Sequence, residues 1–190
     1  MKTAIILTIL LIFVAGCSTV NNSSDQTMIT NSTISGTQEL VFNEQDIKQL
    51  SITSGGADCK TEEYQTSEYS PLMQYNFCNY TVSSLNDSQV IIELKKFNNF
   101  EALNGSYQYD SLHLYSVEGL ISENDYGTQS RFRVNNENDY GGNINNEPNV
   151  YYYHLWICKD TYLIHITSKG SKETKEYVAK MGRQILSKFG

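Results

Sequence analysis

Two consecutive arms near the C terminus constrain this chain more than any other feature. Val150–Cys158 (VYYYHLWIC) and Thr161–Ser168 (TYLIHITS) are both dense in aromatic and β-branched residues, and only Lys159-Asp160 separates them. That composition predicts a β-hairpin. Both faces of each arm are apolar, so the hairpin must lie centrally in a sheet, or under a helix on one side and a loop on the other. Immediately afterwards Tyr177, Val178, Met181, Ile185 and Phe189 recur at helical spacing. They form one stripe, predicted to dock on the sheet, with Ser171 as the N-cap and Glu176–Lys180 as an i,i+4 pair. The expected fold class is therefore α+β: an antiparallel sheet with helices packed on one side, closed by a C-terminal amphipathic helix.

Upstream, Asn43 followed by Asp46 is a weak capping box opening a short helix through Leu50, and Gly55-Gly56 interrupts the chain. Strands are expected at Thr61–Tyr69, Leu72–Ser83, Val90–Phe97 and Gln129–Val134. Asn98 or Asn99 caps a helix carrying Phe100, Leu103 and Tyr107 on one face, with no clear end, because Leu112, Leu114 and Val117 settle on no single period.

The N terminus is different in kind. Lys2 precedes Ala4–Val14, an apolar run broken only by Thr8, and small residues Ala15 and Gly16 lead to Cys17. This is the order of a secretory signal peptide. At 1.5 Å per residue the stretch reaches roughly 20 Å, short of a hydrocarbon core of about 30 Å, so a spanning helix is disfavoured. Val14-Ala15-Gly16-Cys17 resembles the lipobox of prokaryotic membrane lipoproteins, with Val14 where Leu is usual. The resemblance covers residues 1–17 only. It implies removal of a signal peptide, residues 1–16, and a diacylglyceryl thioether on Cys17. The mature protein would then be lipid-anchored on the extracytoplasmic face of the cell membrane. Two acyl chains hold far more firmly than one, at about 0.8 kcal/mol per buried methylene. The order of elements in the body loosely resembles small sensor-like domains of surface lipoproteins, without a motif that would transfer any residue.

Thirteen of the 21 residues from Ser18 to Gln38 are Ser, Thr or Asn. Cys17 and this stretch, residues 17–38, read as a lipidated flexible tether with a span of roughly 25 Å, leaving residues 39–190 as one globular domain. Sequons begin at Asn21, Asn22, Asn31, Asn79, Asn86 and Asn104, as chance produces in a chain rich in Asn and Ser. Fourteen Tyr and seven Phe supply the core that a disordered chain lacks, and a net charge of −7 argues against a nucleic-acid partner. Seven Lys or Arg against three acids from Lys159 onward make the C-terminal end locally basic, the usual mark of a solvated face.

With Cys17 acylated, Cys59, Cys78 and Cys158 remain. In an oxidising compartment one disulfide is expected. Cys59–Cys78 is the favoured pair, because 18 intervening residues suit two neighbouring segments that fold back. Cys158, ending an apolar strand, is then a buried thiol; Cys78–Cys158 is the rival pairing.

His154 and His165 fall opposite each other if the hairpin turns on two or four residues at Lys159-Asp160, a pair that could titrate together or bind a metal. The simpler reading is two half-buried rings, and no metal is expected. Asn135–Glu147 carries a Gly and a Glu at calcium-loop positions, but it lacks the leading Asp and flanking helices, and it reads as a solvated loop. Tyr107, Tyr109 and Tyr151–Tyr153 could stack on sugars or seat a partner, or simply pack. No G-x-S-x-G, H-E-x-x-H, S-x-x-K or phosphate loop occurs, so neither catalytic residues nor a cofactor are assigned. The expected function is non-enzymatic: a lipid-anchored extracytoplasmic domain binding a ligand, with a protein or a glycan as the partner. The alternatives are a small envelope hydrolase acting on glycan and a structural envelope component.

Overall fold

In a computed structural model the described residues are 34–56, 59–67, 70–86, 88–113, 117–135 and 150–190. The elements are α1 (Glu44–Gln49), β1 (Ile52–Gly55), β2 (Glu62–Glu63), β3 (Leu72–Val82), β4 (Ser88–Phe97), α2 (Phe100–Leu112), β5 (Val117–Glu123), β6 (Gln129–Asn135), β7 (Tyr151–Lys159), β8 (Tyr162–Gly170) and α3 (Lys172–Leu186), with short 3-10 turns at Thr37–Leu40, Ser83–Leu85 and Ser187–Phe189. The strands form one antiparallel sheet in the order β1-β3-β4-β8-β7-β6-β5, with β2 also on the outer edge of β3. The hairpin β7–β8 is central, as its doubly apolar faces required.

The turn of that hairpin comes one residue later than the sequence suggested. Lys159 pairs with Tyr162, leaving Asp160-Thr161 as the loop, and Asp160 takes a left-handed φ of 52°. Asp tolerates that conformation better than most L-residues. The pairing places Trp156 opposite His165 and His154 opposite Thr167. His154 and His165 are therefore diagonal neighbours on one face, not directly opposed.

Even-numbered residues of β3, β4, β6 and β8, with the odd-numbered ones of β7, point to the main core. There Val90, Ile92, Leu94, Leu155, Ile157, Ile164 and Ile166 meet Val178, Met181 and Ile185 of α3, and every one is at most 2% exposed. The predicted helical stripe is thus the docking face, each such side chain contributing about 1.5–3 kcal/mol on burial. Gly182 lets the helix approach: a Cβ there would stand 2.8 Å from Leu155 Cδ2. Ser171 is extended ahead of α3, but its hydroxyl donates to the Glu173 carboxylate rather than capping the backbone. Lys180 reaches across to the Gln49 carbonyl.

The α1 capping box is present in full, Asn43 Oδ1 accepting from Asp46 N–H and the Asp46 carboxylate from Asn43 N–H. Asp46 also receives Lys188 Nζ at 2.8 Å and the Gln184 amide at 2.6 Å, tying α1 to the chain's end.

The expected α+β layering and terminal helix are therefore present, with α3 on the main face. The helix α2 sits on the other face, where Leu103 and Tyr107 close a second, smaller core with Phe97, Trp156, Cys158 and Leu163. The reason lies in the hairpin: Trp156, Cys158 and Leu163 need cover on the side that α3 leaves open. Phe100, expected on the inner face, opens the helix and is 59% exposed.

Two boundaries differ from the sequence reading. Residues 34–38, assigned by composition to the tether, belong to the folded body: Thr37 is fully buried with its N–H on Gln74 Oε1, and Ile34 packs against the core. Polarity did not prevent this, because β3 and β4 supply the hydrogen-bond partners. The strand expected over Thr61–Tyr69 shrinks, among the described residues, to Glu62–Glu63. The Asn-rich candidate calcium loop, the leader and most of the tether lie outside the described residues. No helix among the described residues is long and apolar enough to cross a membrane.

Candidate ligand cleft on the open sheet face

Seven strands about 4.8 Å apart make a sheet roughly 29 Å wide, and one helix of about 10 Å diameter cannot cover it. Beside α2 the second face therefore opens into a cleft of about 390 Å³. The strands furnish Phe77, Ile91, Glu93, Lys95, His154, Trp156, His165 and Thr167; α2 furnishes Tyr109 and Asp110, and its C-cap residue is His113. Strand alternation puts these residues together, because the same residues that bury their neighbours in the main core turn every second side chain this way.

A chain of polar contacts crosses the floor. The Tyr75 hydroxyl donates to Glu93 Oε1 at 2.8 Å, and Glu93 Oε2 accepts from His165 Nδ1 at 2.8 Å. His165 Nε2 then lies 2.9 Å from Thr167 Oγ1 and 3.3 Å from His154 Nδ1. The histidine rings are inclined by only 16° with centroids 5.5 Å apart, close to the largest separation that the 3.3 Å N···N contact allows. The nitrogens thus meet edge to edge, the arrangement of an N–H···N hydrogen bond; a metal ion needs both lone pairs aimed at a third point. Trp156 lies nearly parallel to His165, at 4.6 Å and 5°.

Burial pushes the Glu93 carboxyl up, but the His165 hydrogen bond, the charges of His165 and Lys95, and the Tyr75 hydroxyl outweigh it and hold it down to about 2. For His165, burial is the largest influence and lowers its pKa, aided by His154 and Lys95 and opposed by Glu93. Because burial keeps His165 neutral at neutral pH, Glu93 is held ionised there by its hydrogen bonds and by Lys95 rather than by a charge on His165. Glu93 keeps the proton on Nδ1 and leaves Nε2 as an acceptor. Burial and Glu93 together raise the Tyr75 phenol, so it stays a donor. Along the wall Lys95 Nζ pairs with Asp110 Oδ2 at 3.0 Å.

Of the sequence candidates, His154, His165 and Tyr109 converge here, whereas Tyr107 and Tyr153 are core residues. Cys59 and Cys78 are disulfide-bonded with Cα atoms 4.7 Å apart, and Cys158 is a buried free thiol pushed up to about 12 by burial. Sequence reasoning missed Glu93, Lys95, Thr167 and Asp110. The available signal was alternation in β4, where charged Glu93 and Lys95 interrupt an apolar strand. A second concavity, of about 490 Å³, lies at the start of α3, but its Lys172 and Glu176 are exposed members of one helical turn rather than a linked network.

No family model and no curated protein matches this chain. Among solved structures it is similar to the extracellular domain of PknH from Mycobacterium tuberculosis, at 8% identity and a TM-score of 0.52, over 80% of this chain and 93% of that one. That likeness is one of fold.

Proposed function

We propose that this chain is an acylated, extracytoplasmic lipoprotein of the cell membrane whose folded domain binds a ligand in the α2 cleft. The observation that carries the binding role is the cleft itself: a roofless concavity whose floor holds charged and aromatic groups already locked to one another, so that a ligand meets a preorganised surface. The Val14-Ala15-Gly16-Cys17 motif supports the anchor. The Cys59–Cys78 bond suits an oxidising compartment, and a fold shared with an extracellular domain accords with that side of a membrane. Binding is preferred over glycan hydrolysis by paired carboxylates because such an acid must hold its proton near neutrality, and Glu93 is driven the other way.

Replacing Cys17 by Ser and fractionating cells tests the anchor. The variant should leave the bilayer and lose labelled palmitate; retention in the membrane without acylation would overturn this reading. Binding is tested by following the emission of Trp156, the only tryptophan in the chain, during addition of envelope extract. A saturable change is expected, and a flat response speaks against a ligand cleft.

One geometric fact favours a second reading. Thr167 Oγ1, His165 Nε2, His165 Nδ1 and Glu93 Oε2 follow the nucleophile–base–orienting-acid order of an acyl-transfer enzyme. Ester turnover abolished by Thr167→Ala, with an acylated Thr167 peptide in the intact protein, would establish it.

A further inference from the structure

We infer that the cleft is a saccharide site, a step that rests on the ligand-binding reading above and names the chemistry of its ligand. The wall and floor carry an alternating series of hydrogen-bonding groups: the Asp110 carboxylate, the Lys95 ammonium, the Glu93 carboxylate and the His165 imidazole, joined by contacts of 3.0 Å at Asp110–Lys95 and 2.8 Å at Glu93–His165. Lys95 also acts on Glu93 through its charge. A carbonyl oxygen can only accept and an amide N–H can only donate. A hydroxyl does both with one oxygen, so neighbouring hydroxyls match a surface on which acceptors and donors alternate.

Net charge narrows the class. With His165 neutral, two carboxylates face one ammonium, which disfavours an anionic ligand. A cationic ligand would have to sit beside Lys95. A neutral polyol meets neither penalty.

The aromatic groups supply the other half of the recognition. Phe77 from β3 is 46% exposed and Tyr109 from α2 is 65% exposed, both on the cleft. A pyranose ring with equatorial hydroxyls presents C–H faces that cover such rings, while its hydroxyls reach the polar row. Tyr109 is already held, its ring 4.3 Å from that of His113, and His113 Nδ1 is 2.7 Å from the Tyr109 carbonyl. Little side-chain entropy is therefore lost when a sugar settles on it. The volume of about 390 Å³ suits a short saccharide rather than a folded protein.

The test uses the detergent-extracted full chain, with cellobiose and N,N′-diacetylchitobiose as probes and sorbitol as a polyol without a ring face. Trp156 emission and calorimetry should show saturable binding of at least one disaccharide and none of sorbitol. Tyr109→Ala and Phe77→Ala should each weaken it about tenfold, or 1.4 kcal/mol. Phe100→Ala, exposed at the opposite end of α2 and outside the cleft lining, should not. Thermal unfolding checks that the variants remain folded. Absence of saturation by either disaccharide, or binding unchanged in both cleft variants, overturns the saccharide assignment. Envelope extract separates the two levels: a Trp156 response that survives periodate destruction of glycans keeps the cleft as a ligand site and removes the sugar, whereas no response to extract or sugars removes both.

Discussion

His165 Nδ1 lies 2.8 Å from Glu93 Oε2, joining residues 72 positions apart across the β4–β8 pairing. This contact fixes the tautomer of His165, and through it the direction of the hydrogen bonds to Thr167 and His154.

Stability should therefore fall in acid in two stages. The folded His165 pKa lies below 6.5, so the unfolded chain takes up that proton first and stability declines as pH drops beneath 6.5. The folded Glu93 pKa is about 2 against 4.5 ordinarily, so its contribution is full above 4.5 and lost as pH falls toward 2. Urea unfolding across this range should show a shallower low-pH decline for Glu93→Gln. A curve parallel to the wild type would count against the contact.

The Cys59–Cys78 bridge closes a loop of 18 intervening residues, so reducing it should cost about 3 kcal/mol, or roughly 10 °C in Tm. A Cys59→Ser/Cys78→Ser chain should melt at that lower temperature with or without reductant. Reductant sensitivity in the double variant would show that another bond is responsible.

Cys158 should resist iodoacetamide in the native protein, because the residue is 1% exposed and its thiol is pushed up to about 12 by burial. Labelling should appear only with global unfolding, measurable by mass spectrometry at increasing denaturant. Rapid native labelling would mean that the contact of α2 with the sheet opens freely.

Asp46 is 4% exposed, and hydrogen bonds from Lys188, Asn43 and Gln184 overcome the upward push of burial to hold its carboxyl below the ordinary range. Asp46→Ala should cost about 3 kcal/mol, removing the carboxylate half of the capping box and leaving Lys188 without its anion. Asp46→Ala with Lys188→Met should recover part of this, and strictly additive losses in chemical denaturation would contradict the coupling.

The hairpin, the docking stripe of α3, the Asn43–Asp46 box and the Cys59–Cys78 pairing were all legible because each is written in local spacing. The hairpin register was not: the turn position depended on which residue would accept a left-handed φ, and Asp160 took it rather than Lys159. The side of the sheet taken by α2 was also hidden, since only Leu103 and Tyr107 mark its inner face while Phe100, Tyr109 and Leu112 stay exposed.

By itself the sequence determined the short-range elements and the layered α+β class, because periodicity, caps and β-branched content act within a few residues along the chain. Only the tertiary structure decided the cleft. Glu93, Asp110, His165 and Thr167 lie on different elements, and no spacing links them until the β4–β8–β7 pairing and the placement of α2 bring their hydrogen-bonding atoms within 3 Å of a partner.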